Sequence, residues 1–316
     1  MKIVFLDEST ITLNDDINFS VFEQLGTYTG HPHSTEHEII NRAAGAEVVI
    51  PNKVRITRRV IQSLGSLQLI AEIATGYDNV HLKAAKDNGV TVCNVAGYAA
   101  NTVPQHTFAL ILNLGTKAHL YHADVMAGEW GRASSFNLLS YQAFELNGLT
   151  IGIIGFGTIG RGVARIAEGF GMRVLAHDIF GIRGADYPNT DLETIYCESD
   201  FITVHSPLTD QTRNLIDSDA LSKMKPTAMV INTARGGIVD EEALAAALNS
   251  GRIAGAGFDV LTVEPPVQGN VLLKARNIIM TPHCAWSSQE ARQKLVDETG
   301  ANIRAFFSGK PRNIVV

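Results

Sequence analysis

Residues 151–160 read Ile151-Gly152-Ile153-Ile154-Gly155-Phe156-Gly157-Thr158-Ile159-Gly160, and their order decides the fold. An apolar run ends in Gly155, Gly157 and Gly160, and a helical pattern follows. This is how a strand enters a helix around a pyrophosphate. Gly155 permits the tight turn, Gly157 lets the backbone approach the phosphates, and Gly160 lets helix and strand pack closely. The helix N-terminus, with Thr158 and Ile159 in its first turn, supplies N–H donors and positive potential. Gly152, inside the strand, is assigned to packing. The next apolar run, Arg173–Ala176, leads into His177-Asp178. An acid about 20 residues beyond the first glycine accepts hydrogen bonds from the adenosine ribose and repels a 2′-phosphate, so NAD is expected in preference to NADP.

Working outward, short apolar runs alternate with helical patterns along nearly the whole chain, the signature of parallel sheets with crossover helices. Candidate strands are Ile3–Leu6, Glu47–Ile50, Leu67–Ile73 and Val90–Asn94, then Thr150–Ile154, Arg173–Ala176, Phe201–His205, Ala228–Asn232, Gly255–Asp259 and Asn277–Met280. The runs are continuous rather than alternating, so both sheet faces should be covered. Because the glycine turn begins near residue 150, residues 1–100 must form another domain. The expectation is an α/β protein with two domains: a substrate domain of residues 1–100 and 287–316, and a nucleotide-binding domain of residues 101–286. Between them, Asn101-Thr102-Val103-Pro104-Gln105 predicts a helix start, with Thr102 as cap, Gln105 reaching back and Pro104 in the first turn. The helix is expected to run over 101–127 and, being apolar on nearly every side, to be buried either between domains or against another subunit; a connecting helix that also serves a homodimer interface is preferred to a purely intradomain one. A last, amphipathic helix is expected from Ser287 to about Ser308, followed by an apolar end, Ile314-Val315-Val316.

Composition narrows the class. The 316 residues are 45% hydrophobic and 18% charged, which excludes a disordered chain. The 32 acidic against 26 basic residues, net −6, disfavour a nucleic-acid partner; Lys53-Val54-Arg55-Ile56-Thr57-Arg58-Arg59 reads as a solvated face. Cys93, Cys197 and Cys284 lie far apart without a CxxC, which points to a reducing compartment with neither disulfides nor zinc. His31, His33 and His37 read as an exposed loop cluster, and no metal is expected. The apolar run after Met1-Lys2 is too short for a signal peptide, and Phe108–Leu114 is too short to span a membrane. A cytoplasmic protein without a membrane partner is expected.

Three polar residues fall just after predicted strands, where an open parallel sheet collects its ligands. Arg235 follows Val230-Ile231-Asn232-Thr233-Ala234, Glu264 follows Phe258-Asp259-Val260-Leu261-Thr262-Val263, and His283 follows Ile279-Met280-Thr281-Pro282. Together they offer a cation for a carboxylate, an imidazole for proton transfer and a carboxylate to polarise it.

With these on the page the chain resembles the D-isomer-specific 2-hydroxyacid dehydrogenases, especially their glycerate dehydrogenase/hydroxypyruvate reductase branch. The resemblance runs through Ala74-Thr75-Gly76-Tyr77-Asp78-Asn79-Val80, the glycine turn with Asp178, and His205-Ser206-Pro207-Leu208-Thr209. It continues through Asn232-Thr233-Ala234-Arg235-Gly236-Gly237, Gly257-Phe258-Asp259-Val260, Glu264-Pro265 and Thr281-Pro282-His283. It implies a Rossmann cofactor domain inserted into a flavodoxin-like substrate domain, both doubly wound. It implies His283 as the acid/base, Glu264 as its partner, and Arg235 with the backbone of Thr75 and Gly76 on the substrate. Thr102, Thr158, Ile159, Asp178, His205, Thr233, Ala234 and Asp259 would contact NAD. The implied reaction is reduction of a small 2-oxo acid of the hydroxypyruvate or glyoxylate type, with a short phosphoglycerate dehydrogenase and an NAD-sensing corepressor-like protein as the rival readings. Pro104-Gln105, where many relatives carry Ala-Glu, departs from the pattern, as does Cys284 after the histidine. Cys284, Trp286 and Trp130 are candidate pocket walls.

Overall fold

The computed structural model describes residues 1–184 and 187–316. The chain divides into two compact units, Met1–Tyr98 with Ser287–Val316, and Ala99–Trp286.

The first unit is built on five parallel strands, β1 (Lys2–Phe5), β2 (Thr27–Gly30), β3 (Val48–Ile50), β4 (Leu69–Ala71) and β5 (Thr91–Cys93), in the order β2-β1-β3-β4-β5. That is the flavodoxin-like doubly wound order. The apolar runs predicted β1, β3, β4 and β5. Strand β2 escapes such a reading because it is an edge strand, Thr27-Tyr28-Thr29-Gly30, alternating exposed and half-buried residues. The Gln289–Phe307 helix starts where Ser288 caps the Ala291 N–H, and it buries Leu295, Val296 and Ile303. Arg292 within it grips both carboxylate oxygens of Asp16 at 2.7 and 2.6 Å. The guanidinium holds the Asp16 carboxyl well below the usual range. After the helix, the chain end runs antiparallel to β5: Val315 N–H donates to Val92 O, and Val92 N–H donates to Val316 O, both at 2.8 Å. The side chains of Val315 and Val316 pack on the core of this unit.

The second unit has six parallel strands, β6 (Thr150–Ile154), β7 (Arg173–His177), β8 (Phe201–Val204), β9 (Met229–Asn232), β10 (Gly255–Phe258) and β11 (Ile278–Met280), in the order β11-β10-β9-β8-β6-β7. Outside β7 a single parallel bridge, Ala176 with Asn189, stands where a further strand of a dinucleotide-binding sheet would lie. Along β6, Ile151 and Ile153 point into one apolar layer with Phe108, Ile111 and Val163, while Ile154 points into the opposite layer with Ile202, Val204 and Leu244. Helices cover both faces, which is why these strands read as unbroken apolar runs. Among the described residues no helix is long and apolar enough to cross a membrane.

The helix expected over 101–127 is two helices, Thr102–Thr116 and Ala118–Met126, separated by Lys117 in the left-handed region at φ +57°. The first buries one side through Val103, Phe108, Leu110, Ile111 and Leu114. The second, with His119, His122 and Asp124 among its apolar residues, buries none within the chain. Thr102 is not the cap: Asn101 holds that position without a side-chain bond, and the Thr102 hydroxyl donates instead to Ala285 O at 3.2 Å. A tertiary acceptor has taken the hydroxyl that the capping pattern assigned to the helix end.

Removal of residues 314–316 should strip the outer face of β5 of its backbone partner and two valines of their packing. The expected cost is about 2 kcal/mol, measured as a lower denaturation midpoint of the first unit.

Candidate active site

The three glycines of the 155–160 turn are needed for three different reasons. Gly155 lies at φ +94°, and a Cβ there would stand 2.7 Å from both the His205 carbonyl carbon and Ser206 Oγ. A Cβ on Gly160 would meet Gly155 O at 2.2 Å, so this glycine sets the approach of helix to strand. Gly157 caps the Thr158–Gly169 helix with no protein atom within 4 Å of the place a Cβ would take, and no side chain occupies the helix end. Open space before the first-turn N–H groups of this helix fits a bound pyrophosphate. Strand β6 lies between β7 and β8, so this turn opens at the switch point of the sheet. Gly152 has the packing role expected of it, since a Cβ would stand 2.4 Å from Ser199 Oγ.

Asp178 ends β7 with its carboxylate already aimed. Oδ2 accepts from Phe156 N–H at 2.9 Å and Oδ1 from Phe180 N–H at 3.0 Å. Asn189 braces the same residue by bonding both its N–H and its carbonyl. Two acceptor positions remain for a ribose. His205, just beyond β8, has both ring nitrogens sealed from solvent with no hydrogen-bond partner. Burial pushes its pKa down to about 3, so the ring is neutral. Thr233 and Ala234 leave β9 over the buried side chain of Asn232, which accepts from Ala234 N–H at 3.0 Å and donates to Arg235 O at 2.8 Å. The Thr233 hydroxyl pairs with that of Thr107 at 3.1 Å. Asn232 shapes the turn that presents Arg235; the only sequence signal for it is a polar residue closing an apolar run.

Asp259, at the end of β10, is 1% exposed and surrounded by donors. Oδ1 accepts from the Thr281 hydroxyl at 2.5 Å and Cys284 N–H at 2.9 Å, and Oδ2 accepts from Ala285 N–H at 2.8 Å. Its own carbonyl accepts from His283 N–H at 2.8 Å. This clasp holds His283 in the left-handed region at φ +54°, and Trp286 adds an indole N–H to His283 O at 2.8 Å. The Trp286 indole therefore braces the histidine's backbone. The Cys284 thiol is raised by burial and by Asp259, so it stays protonated. One cluster with metal-ligand chemistry occurs among the described residues: His106, Asp259 and Cys284 offer ligand atoms within 4.8 Å of one another. Cysteine spacing could not reveal it, because the three meet only through the fold. Thr281 already links two of them, its hydroxyl also lying 2.9 Å from His106 Nε2.

His283 Nδ1 meets Glu264 Oε2 at 2.5 Å, while Glu264 Oε1 accepts from Leu261 N–H at 2.6 Å. Burial pushes the Glu264 carboxyl up, but His283, the Leu261 N–H and the charge of Arg235 outweigh it and hold it below the ordinary value. The Nδ1 side of the ring is thereby taken up by the carboxylate. Arg235 leaves one guanidinium nitrogen on Ala234 O at 2.8 Å. A Cβ on the following Gly236 would come within 2.0 Å of the Leu261 carbonyl carbon. The Arg235 turn and the Glu264 loop are thus packed backbone to backbone. Thr75 and Gly76 belong to the first unit, in the loop after β4, where Thr75 Oγ1 donates to Val95 O and Asn94 donates to Thr75 O. Trp130 is half-exposed, its indole N–H on Phe136 O. His33 meets Ser9 Oγ at 3.2 Å.

Residues 108–285 match the model of the D-isomer specific 2-hydroxyacid dehydrogenase NAD-binding domain. Over 317 aligned residues the chain is 44% identical to a glycerate dehydrogenase of Methylorubrum extorquens, covering 99% of this chain and 98% of that one. It is 33% identical to a hydroxypyruvate reductase of Blautia hydrogenotrophica over 100% of this chain and 99% of the relative. Among solved structures, an acyclic imino acid reductase in complex with NADPH and D-Arg superimposes with a TM-score of 0.87 at 31% identity, each chain covered completely. A nucleotide turn, a carboxylate-bound histidine and this likeness agree: the chain belongs to the D-isomer specific 2-hydroxyacid dehydrogenase family.

Proposed function

We propose that this protein reduces a small 2-oxo acid of the hydroxypyruvate or glyoxylate type to its D-2-hydroxy acid, using NADH. The observation that carries the reading is the 2.5 Å Glu264–His283 pair beside Arg235, all at the carboxyl ends of β9, β10 and β11. Arg235 holds the substrate carboxylate and carbonyl oxygen. The nicotinamide, when bound in its reduced form, supplies a hydride to the carbonyl carbon. His283, as imidazolium, gives its Nε2 proton to the carbonyl oxygen, and Glu264 stabilises the charged ring beforehand. In the oxidative direction the same ring takes the proton back. Thr102, Thr158, Ile159, Thr233, Ala234 and Asp259 are assigned to the cofactor along with the glycines; Asp259 would do this in addition to its clasp.

Asp178 supports NADH over NADPH, since its carboxylate would face a 2′-phosphate. Three cysteines that form no disulfide among the described residues support a cytoplasmic location. A homodimer through residues 101–127 is supported by exposed apolar side chains in that stretch and soon after it. They include Met126 (74%), Phe136 (94%) and Leu139 (83%). Single exposed apolar residues are ordinary, but several so close in sequence favour an interface.

With hydroxypyruvate, His283→Ala should lower kcat by about 10³-fold with NADH binding by fluorescence unchanged; turnover that persists removes His283 as the acid. For Asp178→Ala, the ratio of kcat/KM for NADPH to that for NADH should rise at least about tenfold, and an unchanged ratio refutes the cofactor assignment. Joint replacement Phe136→Asp with Leu139→Asp should yield monomers in sedimentation velocity where the parent protein sediments as a dimer.

A further inference from the structure

Glu241 opens the Glu241–Ser250 helix, next to Asp240, and the two neighbouring acids divide their work. Asp240 is the cap, accepting from Ala243 N–H at 3.0 Å. Glu241 turns away from its own helix. Its Oε1 accepts from Thr262 N–H at 2.6 Å and its Oε2 from Asn270 Nδ2 at 2.7 Å. Asn270 cannot reverse its amide without loss, because its Oδ1 already accepts from Leu272 N–H at 2.9 Å. One carboxylate thus ties both ends of the loop that carries Glu264.

The two peptide N–H groups at the start of that loop are each held by a carboxylate. Leu261 N–H donates inward to Glu264 Oε1, and the next one, Thr262 N–H, donates outward to Glu241 Oε1. Glu264 then passes its other oxygen to His283. On the opposite side, the backbone of residues 261 and 262 rests on Gly236, which follows Arg235. The loop is therefore clamped between the Arg235 turn and Glu241.

We infer that Glu241 is a positioning residue for proton transfer: by fixing the Thr262 peptide it fixes the Leu261 N–H, and through it the face that Glu264 presents to His283. Geometry of this kind matters at the scale of the pair itself, since a carboxylate displaced by about 1 Å loses much of its hold on the imidazolium and can cost up to about 100-fold in rate. The inference rests on the reading of His283 and Glu264 as the acid pair.

The test is a double-mutant cycle of Glu241→Ala and Glu264→Gln, with Glu241→Gln as the conservative variant. Glu241→Ala should lower kcat for hydroxypyruvate reduction about tenfold, with the Kd for NADH unchanged. Glu241→Gln, which keeps an acceptor for Thr262, should lose less. In the Glu264→Gln background Glu241→Ala should have no further effect. Equal losses in both backgrounds, or full activity of Glu241→Ala, would overturn the inference. A readout without turnover separates it from the proposed function: the ¹⁵N shifts of the His283 ring in the unliganded protein should move in Glu241→Ala in the same direction as in Glu264→Gln. If the parent protein reduces no 2-oxo acid, the functional reading fails; ring shifts unmoved by Glu241→Ala then overturn the positioning role separately, and shifts that move sustain it.

Discussion

The site depends on a buried carboxylate that meets no solvent. Asp259 takes the Thr281 hydroxyl and the N–H groups of residues 284 and 285, and its backbone takes the N–H of His283. A charge almost wholly removed from water survives only when donors surround it. Here they all come from the segment after β11, so satisfying Asp259 and shaping that segment are one event. The left-handed backbone of His283, unfavourable for a residue with a side chain, is tolerated because the clasp over-determines it.

From that fixed point two carboxylates acquire different work through their surroundings. Asp259 is enclosed, with three of the protein's own donors on its two oxygens. Glu264 is partly open, keeps one oxygen on a peptide N–H and gives the other to the imidazole. Only Glu264 bonds the His283 ring itself, so of the two it is the one placed to stabilise the charged ring. Arg235 adds a positive field from the turn after β9, where Asn232 and Gly236 set its approach. A chain with a net charge of −6 can in this way present a local cation where an anionic substrate would bind.

Much of this was legible in residue order. The strands of both sheets, apart from β2, are apolar runs because helices cover them on both faces. The glycine turn, with Asp178 at the end of β7, has a spacing that local geometry dictates. What stayed hidden was tertiary. Thr102 has a capping pattern, yet its hydroxyl goes to Ala285, a residue far along the chain. Lys117 interrupts a helix that periodicity would continue, with Gly115 two residues before it as the one local sign. Asn232, Thr281 and Glu241 gain meaning only from partners that the fold brings to them, and the meeting of His106, Asp259 and Cys284 has no trace in their spacing.

At the centre of the account is the claim that Glu264 supports His283 in proton donation. The direct measurement is kcat/KM for hydroxypyruvate reduction in the parent protein and in Glu264→Gln, with the Kd for NADH beside it. Loss of the carboxylate that holds the ring should lower kcat/KM about 100-fold or more with the Kd for NADH unchanged. An unchanged kcat/KM in Glu264→Gln would contradict the account and leave Glu264 as a structural residue.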